Sequence, residues 1–253
     1  MLDAIQVQSV TKRFGTTVAL DDATLNVAPG EFVCLIGASG CGKSTLLRII
    51  AGFETTSEGG VIVRGKPVEG PGPDRGMVFQ DYGLFPWLTV RRNIAFGPES
   101  RGKGREEIAA TTTRFLEMIG LTAFAESFPH QLSGGMKQRV AIARVLANDA
   151  RVVLMDEPFG ALDAMTRERL QDELLGLWAS TGLTIVFVTH AIEEAIFLAD
   201  RVVVMSPGPG RIVRDVRIGL PRPRDVSSPE FNVLRRELSA LLHSHHARAA
   251  HDE

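Results

Sequence analysis

Nine consecutive residues, Gly37-Ala38-Ser39-Gly40-Cys41-Gly42-Lys43-Ser44-Thr45, follow directly on an apolar run. Their types suit the phosphates of a nucleotide. Gly37, Gly40 and Gly42 let the backbone wrap an anion with its N–H groups facing inward. Lys43 brings a positive charge for the β- and γ-phosphates, and the Ser44 hydroxyl can ligate Mg2+. A helix predicted over Lys43 to Ala51 points its N-terminus, about +0.5 charge, at the same anion. A chance glycine turn would not carry this whole pattern between a strand and a helix.

A pair of acids, Asp156 and Glu157, follows the apolar run Val152-Val153-Leu154-Met155. Asp156 is assigned to the Mg2+ shell, because Mg2+ keeps several waters and takes few protein ligands. Glu157 then orients and deprotonates an attacking water, a contribution of about 10²–10⁴ in rate. Ser133-Gly134-Gly135 begins a helix whose apolar positions Met136, Val140, Ala143 and Ala147 share one face. Ser133 suits the N-cap, and the glycines leave the first N–H groups accessible. His190 ends another apolar run and is read as a γ-phosphate contact. Gln80, in Val78-Phe79-Gln80, reads by itself only as a polar strand end.

The elements that must position these groups follow from periodicity. Residues 5–10 and 18–27 alternate apolar and polar, which predicts antiparallel strands. Glu31 to Ile36 is a strand entering the glycine loop. Short strands are expected at Val61–Arg64 and Met77–Gln80, and helices at Arg105–Ile119 and Ser133–Ala147. The runs Val152–Met155, Thr184–Val188 and Val202–Met205 are almost wholly apolar, as in parallel strands buried on both faces. Ile212 to Ile218 is expected at a sheet edge. Ser228-Pro229-Glu230 starts a last helix, with Ser as cap and Pro in the first turn. Ligands of open α/β sheets bind beyond the carboxyl ends of parallel strands. The glycine loop, Asp156-Glu157 and Thr189-His190 all stand at such ends.

The bulk numbers exclude several other classes. The chain has 253 residues, 44% hydrophobic and 23% charged, as in an ordinary globular protein. A net charge of -2 gives no basic excess to recruit nucleic acid or anionic lipid. The start, Met1-Leu2-Asp3-Ala4-Ile5-Gln6, lacks the pattern of a signal peptide, and the apolar runs are far short of the roughly 20 residues a membrane span needs. Cys34 and Cys41 make no disulfide framework, so a reducing compartment is expected. Thiol modification at Cys41, inside the loop, would block a nucleotide.

Together these residues resemble the nucleotide-binding subunit of an ATP-binding cassette (ABC) transporter, over roughly Ile5 to Leu220. Residues 37–45 match the Walker A loop and 152–157 the Walker B strand. The family signature reads Leu132-Ser133-Gly134-Gly135-Met136, with Met136 where Gln is common. Gln80 matches the Q-loop that reaches the Mg2+, Ala161-Leu162-Asp163 the D-loop, and His190 the H-loop. Phe14 falls where the family stacks an aromatic, more often Tyr, on adenine; Phe keeps the stacking face. Ala38 replaces a frequent Pro. The resemblance implies an α/β fold: a P-loop NTPase (RecA-like) core, an antiparallel β subdomain and an α-helical subdomain inserted at about 81–148. The ATPase domain would cover 1–225, and a C-terminal helix with a His-containing tail 226–253. It also implies ATP and Mg2+ as ligands and a homodimer in which the signature of one chain completes the site of the other. Permease subunits, indirect dependence on an extracytoplasmic solute-binding protein, and a peripheral place on the cytoplasmic face of the membrane follow.

Two segments narrow the resemblance to importers of the nitrate, sulfonate and taurine type. One is Gln80-Asp81-Tyr82-Gly83-Leu84-Phe85-Pro86-Trp87-Leu88-Thr89-Val90. The other is Met205-Ser206-Pro207-Gly208-Pro209-Gly210-Arg211-Ile212, with Leu220-Pro221-Arg222-Pro223-Arg224-Asp225 beyond it. Tyr82, Phe85 and Trp87 either line a groove for a permease helix or pack in the ordinary way. His243, His245, His246 and His251 belong to a frayed end or to adventitious metal binding. The competing classes are a soluble non-transport cassette ATPase and a nucleotide-dependent dimerising regulator. The first usually carries coiled coils or two cassettes, and Glu157 and His190 argue against the second.

Overall fold

The structure, a computed structural model, describes residues 3–160 and 162–249, the last six by backbone alone. Ala161 and His251 lie outside the described residues, as do the side chains of His245 and His246. In chain order the elements are β1 (Ile5–Phe14), β2 (Thr17–Val27), β3 (Phe32–Gly37), α1 (Lys43–Ala51), β4 (Glu58–Val63), β5 (Lys66–Pro67), β6 (Arg75–Val78), α2 (Val90–Ser100), α3 (Arg105–Met118), α4 (Gly134–Ala147), β7 (Val152–Asp156), α5 (Ala164–Thr181), β8 (Thr184–Val188), α6 (Ile192–Leu198), β9 (Arg201–Met205), β10 (Ile212–Arg217) and α7 (Pro229–Ala249). They form two compact units, Met1–Pro71 with Trp178–Glu253, and Gly72–Leu177.

The first unit holds an antiparallel sheet in the order β2-β1-β4-β5. Ile5 and Val7 of β1 are fully buried, as the alternating pattern requires, and so is Val10, which is out of phase with them. A register shift lies between Val7 and Val10, where Ser9 takes a left-handed φ of 45°. The same unit holds strands in the order β10-β9-β3-β8. β3 is parallel to both β8 and β9, and β10 closes the edge antiparallel to β9. Every residue of β3 and β8 is buried, as their unbroken apolar runs predict. The register pairs Leu35 with Val188. The glycine loop and Thr189-His190 therefore leave the sheet from the same end. α1 buries Leu46, Leu47, Ile49 and Ile50 and stops at Gly52, whose φ is 83°. A β-carbon at Gly52 would lie 2.2 Å from the Gly70 carbonyl oxygen, so this cap admits only glycine.

In the second unit β6 and β7 run parallel, with Val78 paired to Met155. The Gln80 segment and Asp156-Glu157 therefore also leave from a common end. α4 rides directly on β6: a β-carbon at Gly76 would lie 2.2 Å from Val145 Cγ1. α2 is a helix that the periodicity did not indicate, because Gly97-Pro98 falls inside it. Tertiary bonds hold it instead. Thr89 caps it by accepting from the Arg92 N–H at 3.4 Å. The fully buried Asn93 accepts from the Phe85 N–H at 2.9 Å and donates to the Leu88 carbonyl at 3.0 Å. Among the described residues no helix is long and apolar enough to cross a membrane.

The contact of α4 with β6 yields a stability prediction. Gly76→Ala forces Val145 to move and should cost about 1–3 kcal/mol in urea unfolding, as overpacking does. Val145→Ala in that background should recover part of the loss. A strictly additive pair would mean that the two residues do not share this contact.

Candidate functional site

The glycine loop owes its shape to the first unit. Gly40 and Gly42 take φ values of 78° and 86°, a region closed to most side chains. Gly42 has a second constraint. A β-carbon there would lie 2.6 Å from Leu20 Cδ2 and 2.7 Å from the Ala19 carbonyl oxygen. At Gly37 it would lie 2.7 Å from Cys41 Sγ and 2.9 Å from the Met205 carbonyl oxygen. The Lys43 ammonium is buried inside the curve of the loop. It donates to the carbonyls of Gly37 at 2.9 Å and Ala38 at 2.8 Å and lies 3.6 Å from Cys41 Sγ. A backbone ring with its cation preplaced and the start of α1 behind it has the parts of an anion cradle.

Two other predicted residues belong to the same unit. Thr189 is buried and ties the end of β8 to β3, donating from its N–H to the Leu35 carbonyl at 3.2 Å. Its Oγ1 accepts from the Ala191 N–H at 3.0 Å. His190, exposed, is thus held between two fixed neighbours. Phe14 ends β1 with its ring 49% exposed, and the Lys12 ammonium lies 4.8 Å from its centroid. An adenine could stack on such a half-open ring.

The remaining predicted residues lie in the second unit. Asp156 is the last residue of β7, and only 9% exposed. A buried carboxylate at a strand end, and the Ser44 hydroxyl at the first turn of α1, have the hard oxygen chemistry that Mg2+ takes. Glu157 has a left-handed φ of 45°, uncommon for a non-glycine residue. Its carbonyl accepts from the Gly160 N–H at 3.1 Å, so a tight turn holds the strained residue. Gln80 is exposed beyond β6, two residues before Tyr82, whose φ is 65°.

Ser133 is the N-cap of α4, its hydroxyl accepting from the Met136 N–H at 3.3 Å. The signature glycines also serve packing, a role that the sequence did not indicate. A β-carbon at Gly135 would lie 3.0 Å from Thr166 Cγ2, and one at Gly134 3.2 Å from Leu162 Cδ2. Asp163 caps α5, accepting from the Thr166 N–H at 3.0 Å; that bond holds its carboxyl below the usual carboxylate range.

One further residue supports the cradle without having been a site candidate. Gly210 donates from its N–H to the Ala19 carbonyl at 3.0 Å, and its carbonyl accepts from the Asp21 N–H at 3.0 Å. A β-carbon on Gly210 would lie 2.0 Å from the Cys41 carbonyl oxygen. The sequence signal was the hard turn Pro207-Gly208-Pro209-Gly210, which marks a bend but not its neighbour.

Comparison with known proteins fits this geometry. A family model described as ABC transporter matches residues 20–160, more than half of the chain. An uncharacterized ABC transporter ATP-binding protein of Methanocaldococcus jannaschii is 52% identical, over 94% of this chain and 91% of that protein. The nitrate import ATP-binding protein NrtD of Synechocystis is 49% identical, over 90% of this chain and 89% of that one. The taurine import ATP-binding protein TauB of Rhizobium johnstonii is 48% identical, over 92% of each. Among solved structures, a dimeric ATP-binding cassette in a post-hydrolysis state, bound to ADP and Pi, superposes with a TM-score of 0.75 at 34% identity. That match covers 86% of this chain and all of the other. The chain belongs to the ABC transporter family, as an ATP-binding cassette that hydrolyses ATP.

Proposed function

We propose that the chain powers import of a small anionic solute such as nitrate, a sulfonate or taurine, as a homodimer bound to permease subunits on the cytoplasmic face of the membrane. The observation that carries the ATPase part is the cradle at Gly37–Thr45, with the Lys43 ammonium held inside it at 2.8–2.9 Å from two carbonyls. The import part rests on the nitrate and taurine import relatives at 48–49% identity. Dependence on an extracytoplasmic solute-binding protein belongs to the same reading.

The residues divide the work as follows. Gly37, Ala38, Ser39, Gly40, Cys41, Gly42 and Thr45 wrap the phosphates with backbone N–H groups, and Phe14 stacks on the adenine. Lys43 neutralises the β- and γ-phosphates. Ser44, Asp156 and Gln80 hold Mg2+, which when bound spreads the charge of the transferring phosphoryl group. Glu157 takes the proton of the attacking water, and His190 contacts the γ-phosphate. Ser133, Gly134 and Gly135, with Asp163 close in sequence to the Walker B acids, meet the nucleotide of the partner chain. The positive end of the α4 dipole then faces an anion held by the other copy, so ATP joins the two copies and hydrolysis releases them. The helical part of the domain, about 81–148, carries the permease contact, with Gln80 as the joint.

Three outcomes test this reading. Lys43→Ala should abolish ATP binding in a titration; unchanged affinity would contradict the cradle. Glu157→Gln should still bind ATP, lose about 10²–10⁴ in turnover and accumulate as an ATP-bound dimer. Wild-type turnover in that variant would remove Glu157 as the base. Cells lacking the gene should lose uptake of one solute among nitrate, taurine and alkanesulfonates. Wild type should restore it and Glu157→Gln should not. Uptake unchanged for all of them would overturn the solute class.

A further inference from the structure

The segment Leu220–Asp225 has no part in the chemistry above, yet two of its arginines occupy one end of α6. The last four carbonyls of a helix have no partner within it. At the end of α6 those of Ile196, Phe197 and the cap residue Ala199 accept from Arg224 Nη1 at 2.5, 3.2 and 2.7 Å, and that of Leu198 accepts from Arg222 Nη2 at 2.6 Å. Arg224 is buried and also reaches the carbonyls of Ile218 at 3.4 Å and Leu220 at 3.2 Å. Burial and the neighbouring Arg222 push its guanidinium down to about 10. A desolvated cation held by carbonyls alone is a costly feature, and it sits where the negative end of the helix dipole lies.

Arg222 extends the clamp to the phosphate-loop strand. Its Nη1 donates to Asp200 Oδ1 at 2.7 Å, and Asp200 Oδ2 accepts from the N–H of Phe32, the first residue of β3, at 2.9 Å. Its guanidinium also lies 4.5 Å from the centroid of Trp178, whose indole donates to the Gly30 carbonyl at 3.0 Å. At its other end α6 begins two residues after His190. Glu193, in the first turn, meets Arg235 of α7 at 2.8 Å, but both side chains are largely exposed and such a pair contributes little. The buried Arg224 and the partly exposed Arg222 therefore anchor the C-terminal end of α6, whose Ala195, Ile196 and Leu198 pack in the core. A helix of seven residues is about 10 Å long and transmits an axial shift without absorbing it.

We infer that Arg222 and Arg224 are positioning residues for His190: by fixing the C-terminus of α6 to the start of β3, they set where the histidine stands relative to the phosphate loop. The inference rests on the reading of His190 as the γ-phosphate contact. Lysine cannot reproduce the fork of a guanidinium, so Arg224→Lys keeps the charge and loses most of the carbonyls. Arg222→Gln is the milder second variant.

The test is steady-state ATP hydrolysis by the full chain, with each variant made alone and in a His190→Ala background. Each arginine variant should lower kcat about tenfold with the KM for ATP unchanged, and should cause no further loss once His190 is gone. A merely structural arginine would instead lose the same factor in both backgrounds, or lose kcat in step with the folded fraction measured by circular dichroism. Either result overturns the proposal. Wild-type kcat in His190→Ala alone would overturn the reading of His190, and the positioning role with it. If Arg224→Lys does not fold, Arg222→Gln decides by the same criteria.

Discussion

No β-carbon fits where the phosphate loop meets the turn that backs it. Gly42 lies against Ala19 and Leu20, and Gly210 lies against Cys41, each closer than a side chain allows. This contact fixes the path of the loop before any ligand arrives. It also explains why the loop needs three separated pieces of chain: β2 supplies Ala19, the strand and helix around residues 37–43 supply the ring, and the turn after β9 supplies Gly210. Both ends of the ring are pinned by backbone, which cannot change rotamer. Preorganised dipoles need no rearrangement when charge appears.

Glycine does comparable work in the second unit for a different reason. Gly76 lets α4 approach β6, and Gly134 and Gly135 let the start of α4 approach Leu162 and Thr166. The signature therefore has two demands on the same residues. One is the exposure of a helix N-terminus, and the other is close packing against the beginning of α5. The Ser133 hydroxyl, bound to the Met136 N–H, and the Asp163 carboxyl, bound to the Thr166 N–H, fix the two helix starts. Substitution at the signature changes helix packing as well as chemistry, and activity alone does not separate the two.

Much of this was legible in the sequence, for physical reasons. Unbroken apolar runs gave β7, β8 and β9 with little error, because parallel strands covered on both faces admit nothing else. The helix Lys43–Ala51 matched its predicted bounds, because a glycine in the left-handed region closes each end. α2 was not legible, since its stability comes from the buried amide of Asn93 and its contacts with distant carbonyls rather than from local propensity. The backing role of Gly210 was hidden too, because a turn motif does not name the residue it lies against. Nor did the string Leu220–Asp225 say that its arginines would close a helix 24 to 28 residues earlier in the chain.

The position of the Lys43 ammonium has a consequence for selectivity. Its hydrogens are already shared with the carbonyls of Gly37 and Ala38. An arriving anion does not meet a bare charge; it enters an exchange in which each new bond displaces an old one. Neutral carbonyls are the weaker acceptors, so a multiply charged phosphate gains from the exchange. A singly charged anion such as chloride or nitrate gains little. On the role proposed for the loop, such an exchange favours the concentrated charge of a polyphosphate over the small anions around it.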